Sequence, residues 1–150
     1  MDREHTHWRS AVVITAICAV AAIFAFVPGC SERFPKIRVE GQQAKTSPML
    51  LGVCAVFMRI DNTGDGEDNL ISAGVDIPGA VTEIHDIEEG KMIRRERIHI
   101  PAKSTVVLRP MSFHIMVYKM PKDTREGYEF TLRLVFEKSG EIIIPVRIVK

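Results

Sequence analysis

From Ile37 onward, apolar and polar positions alternate with a period of two, and helical spacing is hard to find. "IRVE" (37–40) reads as a short first strand. "VCAVFMRID" (53–61) is apolar on both faces, as a central sandwich strand would be, and "NTGDGED" (62–68) is a turn cluster. "NLISAGVD" (69–76) ends at the breaker "IPG". "AVTEIHDIE" (80–88) and "KMIRRERIHI" (91–100) flank the turn residues Glu89-Gly90, and "STVVLRP" (104–110) leads into "PMSFHIMVYKM" (110–120). "YEFTLRLVFE" (128–137) alternates cleanly, with Tyr128, Phe130, Leu132, Leu134 and Phe136 on one face. "EIIIPVRIV" (141–149) carries Pro145, which confines it to a sheet edge or a bulge. Eight or nine strands at intervals of about 8–12 residues predict an all-β sandwich with hairpin or Greek-key connections.

The N-terminus has a different pattern. Ala11 to Val27 is apolar throughout except for Thr15, and a helix of that length spans roughly 25 Å, a little less than a hydrocarbon core. Such a stretch suits a signal-peptide core or a minimal membrane anchor. It ends in "VPGC" (27–30), which resembles a bacterial lipobox and makes Cys30 the lipidation candidate. The alternatives are an uncleaved anchor and cleavage to a soluble form. All of them place the domain outside the cytoplasm, in the periplasm or cell envelope. The expected organisation is an anchor or signal segment over residues 1–30, a short polar tether over 31–36 and a β-sandwich over 37–150.

Charge is nearly balanced, 20 basic residues against 19 acidic, so no basic stripe argues for nucleic acid. Beyond Cys18 and Cys30, only Cys54 lies in the folded part, within a strand, where a small buried hydrophobe is expected. There is no disulfide framework and no Cys-x-x-Cys. Enzyme signatures are absent: no G-x-S-x-G, H-E-x-x-H, Walker loop or dinucleotide fingerprint. "DNTGDG" (61–66) matches half of an EF-hand loop. However, Ser72 stands where a bidentate Glu is needed, so a plain turn is expected.

Histidines and methionines remain. In "PMSFHIMVYKM", Phe113, Ile115 and Val117 form one face of a strand, which leaves His114 and Met116 together on the other. His85 and Met92 lie on two arms of a predicted hairpin. They are directly opposite or one diagonal step apart, depending on where the turn centres. Two imidazoles and two thioethers form a soft, uncharged donor set that suits Cu(I). Spacing alone leaves open the plainer alternative of a half-buried histidine among packing methionines. Met58 shares a face with Cys54, Val56 and Ile60 and is assigned to the core. Met49, Met111 and Met120 sit near strand ends or in loops as gap-fillers, and His99 is assigned to a solvated strand end.

The span from about Ile37 to Val149 resembles the periplasmic copper chaperone family PCu(A)C. The likeness rests on "AVFMRIDNTGDGEDNLISAGVD", "VTEIH", "IHIPAKSTVVLRPMSFHIM" and the closing "LRLVFEKSGEIIIPV". Met92, His114 and Met116 fit the family's Met-x21-His-x-Met motif residue for residue. His85 departs from it, because six residues separate it from Met92 where the family has ten. Losing two residues from each hairpin arm would preserve which face each side chain uses. Lys103 and Met111-Ser112 replace expected glycines, and Gln43 stands where many members have Trp.

The resemblance implies a cupredoxin-like Greek-key sandwich that binds Cu(I) through His85, Met92, His114 and Met116. It also implies a metallochaperone role, handing copper to a partner such as a respiratory oxidase copper centre or another copper chaperone. The alternative is a membrane-anchored interaction module with a degenerate metal site.

Overall fold

The structure, a computed structural model, describes residues 32–150. The expected apolar helix, its signal or anchor role and Cys30 lie outside these residues. Ten strands occur among the described residues: β1 (Ile37–Thr46), β2 (Val53–Asn62), β3 (Asp68–Val75), β4 (Val81–Glu88), β5 (Lys91–Arg95), β6 (Ile98–Ile100), β7 (Ser104–Leu108), β8 (His114–Tyr118), β9 (Glu129–Phe136) and β10 (Gly140–Arg147). They form two antiparallel sheets. One has the order β1-β2-β8-β4-β5, with β7 also paired to β2, and the other is β10-β9-β3-β6.

The all-β sandwich is the predicted architecture, with one strand more than expected. "KMIRRERIHI" is two strands, because the chain leaves one sheet after Arg95 and joins the other at Ile98. Alternation alone does not reveal such a crossing, since the apolar period continues through it. Pro145 lies in β10, which is the edge of the four-stranded sheet, as its missing N–H requires.

The core is built from the facing sides of the two sheets. Cys54, Val56, Met58 and Ile60 of β2 join Ile115 and Val117 of β8 and Ile84 of β4. Against them pack Leu70, Ile98, Ile100, Phe130, Leu132, Leu134, Phe136, Ile144 and Val146 from the other sheet. Each large side chain buried this way contributes about 1.5–3 kcal/mol of transfer free energy. Phe113 is partly buried against the same core.

The turn after β2 shows why its glycines are required. A Cβ on Gly64 would lie 2.3 Å from the Phe34 carbonyl oxygen, and one on Gly66 would lie 2.1 Å from that of Arg33. Asn62, almost fully buried, knits this region together. Its side-chain oxygen accepts from the Lys36 and Gly64 amides, and its side-chain nitrogen donates to the carbonyls of Gly66 and Pro101. Phe34 and Lys36 also accept backbone bonds, from Gly66 and Thr63. The residues read as the end of a tether are therefore laid along the domain, at the end of β2 remote from its start at Val53.

Candidate metal centre

The outer face of the larger sheet carries the candidate donors. β4 and β8 pair with His85 directly opposite His114, and Glu83 opposite Met116. On the far side of β8, Met116 is opposite Ala55 of β2. Because side chains alternate, this register puts His85, His114 and Met116 on the face away from the core, while Ile84, Ile115 and Val117 point into it.

The β4–β5 hairpin turns through Glu89 and Gly90, both in the left-handed region (φ 51° and 76°), as a two-residue hairpin loop demands. Its register pairs Ile87 with Met92 and His85 with Arg94. His85 and Met92 thus share a face, one diagonal step apart, which is the second of the two geometries the hairpin allowed.

Three of the four predicted residues, Met92, His114 and Met116, line one groove of about 380 Å³. Its remaining wall is largely apolar and includes Ala55, Phe57, Ile87, Pro110 and Met111. His114 and Met116 are buried, and Met92 is 51% exposed. His85 is buried and does not line the groove. Its ring stacks on that of His114, with centroids 6.0 Å apart and planes inclined by 26°. The four residues are brought to one patch of the sheet's outer face, rather than to an end of the sandwich.

The imidazoles are prepared differently. His114 Nδ1 lies 2.7 Å from the Ser112 carbonyl oxygen. A carbonyl only accepts, so Nδ1 carries a proton, which in the neutral ring leaves the Nε2 lone pair for a ligand, the arrangement seen in metal-binding histidines. His85 Nε2 is 3.5 Å from Glu83 Oε2, while His85 Nδ1 is buried with no hydrogen-bond partner. Burial holds the His85 pKa below the ordinary imidazole value. Glu83 opposes that shift, and His114 and Arg94 reinforce it. The neutral ring is the form that donates to a metal. Glu83 is itself held by Arg94, at 3.2 Å.

Two aromatic rings enclose the imidazoles. Phe57 lies 6.3 Å from the His114 ring, and Tyr118 meets His85 edge-on at 6.5 Å. Among the described residues, no group of three or more His, Cys, Asp or Glu side chains is placed to hold a metal ion. The candidate donors brought together are imidazoles and thioethers, one imidazole with an unpartnered buried nitrogen, a set whose chemistry fits a soft monovalent ion.

Residues 37–148 match the family described as "Putative lipoprotein LpqE-like". The chain belongs to the LpqE-like family. No curated protein matches it. Its fold is that of solved PCuAC domains. The apo PCuAC domain from PmoF1 superposes with a TM-score of 0.67 at 24% identity, covering 78% of this chain and 98% of that one. The copper-bound PCuAC domain from PmoF2 gives 0.62 at 24% identity, covering 77% and 96%. The solution structure of CuI-DR1885 from Deinococcus radiodurans gives 0.64 at 16% identity, covering 84% and 86%. At these identities the likeness is one of fold.

In this LpqE-like chain, sequence reasoning passed over Phe57, Met111 and Glu83. A signal existed for Phe57: the second apolar face of β2, Val53, Ala55 and Phe57, is on the side away from the core, where Ala55 and Phe57 line the groove. Met111 had none, because a loop residue has no face to read. Glu83 owes its place to the β4–β8 register, which only pairing reveals. Of the other residues, Cys54, Met58 and Met120 are buried in the core and His99 is exposed, with its Nδ1 3.2 Å from Asn69 Oδ1, as expected, whereas Met49 is 89% exposed and fills no gap.

Proposed function

We propose that this protein is an extracytoplasmic Cu(I)-binding metallochaperone whose groove holds copper through Met92, His114 and Met116, with His85 as the fourth donor. The observation that carries this reading is the convergence of Met92, His114 and Met116 on one groove, with the His85 ring stacked against His114. Thioethers bind without losing a proton and discriminate against hard cations. Methionine ligands also suit an oxidising compartment, where exposed thiols are lost to disulfides. Copper is cargo here. It enters from solvent past the half-exposed Met92 and leaves when a partner's ligands replace these donors one at a time. The recipient is a copper-accepting protein, such as an oxidase subunit or another copper chaperone.

The lipoprotein family match and the "VPGC" sequence support tethering to the membrane through Cys30. Phe34 and Lys36 accept backbone hydrogen bonds at the end of β2 away from the β1–β2 loop, whose residues Ser47 and Pro48 line the groove. Mass spectrometry of the mature N-terminus tests the tethering, with a diacylated Cys30 expected and an unmodified Met1 start ruling it out.

The copper reading is tested by titrating the purified full chain, held in detergent, with Cu(I) against a competing chelator. One ion per chain is expected. His114→Ala and Met116→Ala should each weaken binding by roughly a hundredfold, the upper end of what loss of a supporting residue alone costs a metal site. Equal, weak binding by wild type and both variants would favour the interaction module with a degenerate site.

A further inference from the structure

β7 and β8 run end to end along the same side of β2. β7 pairs with Met58–Asn62, and β8 pairs with Val53–Val56. Between them the chain leaves the sheet beside Phe57 as the loop Arg109–Phe113, closed by the Arg109 amide donating to the Phe113 carbonyl. Met111 stands in this loop with φ +64°, a conformation that costs a residue with a Cβ on the order of 1–2 kcal/mol and that glycine adopts freely. Its side chain is 74% exposed, so burial returns little of that cost. Yet Met111 lines the same groove as Met92, His114 and Met116. Neither backbone preference nor packing selects a methionine here, and what the residue brings to the groove is a thioether.

We infer that Met111 is a further thioether donor for Cu(I), on the loop at the groove mouth, which engages the ion as it enters or leaves; this rests on the Cu(I) reading above. A mostly exposed methionine is accessible to incoming copper and to a partner's ligands. Met116, buried in the same groove, is not. The exchange between donors involves no redox change: one thioether bond to Cu(I) forms as another breaks.

The test uses the full chain labelled with 13C at the methionine methyls, with one equivalent of Cu(I) added, alongside Met111→Leu and Met111→Gly. Leucine keeps the bulk and removes the sulfur, whereas glycine also removes the backbone strain. The Met111 methyl resonance, assigned by its loss in both variants, is expected to shift together with those of Met92 and Met116. Met49, which is exposed on the neighbouring loop but does not line the groove, serves as the control and should stay in place. Both variants are expected to hold Cu(I) about tenfold less well against the chelator. A Met111 methyl that stays still, or affinities within about twofold of wild type, would overturn the inference while leaving His114 and Met116 as ligands. Loss of the His114 and Met116 effects would instead overturn the function itself, and this inference with it.

Discussion

Asp68 and His85 are both buried, ionisable and set in strands, and the protein treats them in opposite ways. Asp68 starts β3, facing the β9–β10 turn, and each of its oxygens is claimed. Oδ1 accepts the amides of Asn69 and Lys138, and Oδ2 accepts that of Ser139. His85 is also buried, but its Nδ1 has no partner and its other nitrogen lies only within ion-pair reach of Glu83. A satisfied buried polar group is a structural joint. An unsatisfied one costs roughly 1–3 kcal/mol and persists where something else uses it. The contrast separates the part of the sandwich that holds the fold from the part available to a ligand.

The strongest way to break this contrast is to remove the satisfied group. Asp68→Ala leaves three amides without their acceptor, two of them in the β9–β10 turn, so it should destabilise the domain by about 3 kcal/mol while leaving Cu(I) affinity unchanged. Urea unfolding and chelator competition on the same preparation decide this. A cost below about 1 kcal/mol would remove Asp68 from its structural role.

The converse substitution is His85→Leu. It replaces an imidazole bearing a buried unpartnered nitrogen with an apolar side chain, so it should raise stability by about 1 kcal/mol. At the same time it should weaken Cu(I) binding by about tenfold. Lower stability with unchanged copper affinity would make His85 an ordinary packing residue of the sheet's outer face.

Acid offers a gentler test. Burial on its own would raise the Asp68 pKa, but hydrogen bonds from the Ser139 side chain and from the amides of Lys138, Asn69 and Ser139 outweigh it, and the net shift is downward. A carboxylate with a lowered folded pKa contributes stability that is fully present above its unfolded value of about 3.9. That stability is lost as pH falls through the folded value. Thermal melts should therefore lose stability on acidification below about pH 4, and Asp68→Asn should lose less over the same range. Parallel curves for the two proteins would contradict this.

The smallest effect expected concerns Cys54, a buried titratable group with neither claimed oxygens nor a ligand role. Burial pushes its thiol up to about 11. Cys54 in the folded protein should resist alkylation at pH 8 and react only on unfolding, as followed by mass spectrometry of the peptide that contains it. Rapid labelling of the folded chain would mean that the inner face of β2 is open to solvent.

Much of the sandwich could be read from alternation, because a strand with one face in a core must repeat every two residues. The clean pattern of Phe130, Leu132, Leu134 and Phe136 and the opposed sets Ile115/Val117 and His114/Met116 are both local consequences of the pleat. The His-x-Met pair was legible for the same reason. The break in "KMIRRERIHI" was not, since sheet membership is decided by which neighbour supplies the hydrogen bonds. The place of Met111 was not legible either, because a loop has no period.

The sequence by itself determined the all-β class, the faces of its strands, the soft character of its candidate donors and the match of Met92, His114 and Met116 to one spacing. Only the tertiary structure decided that His85 pairs with His114, that Met92 lies one step off His85, and that a looped Met111 joins Met116 at one groove. The reason is physical: side-chain direction is a property of each residue's own backbone, whereas meeting across strands depends on register. Register is set by turns such as Glu89-Gly90 and by the pairing of segments far apart in the chain.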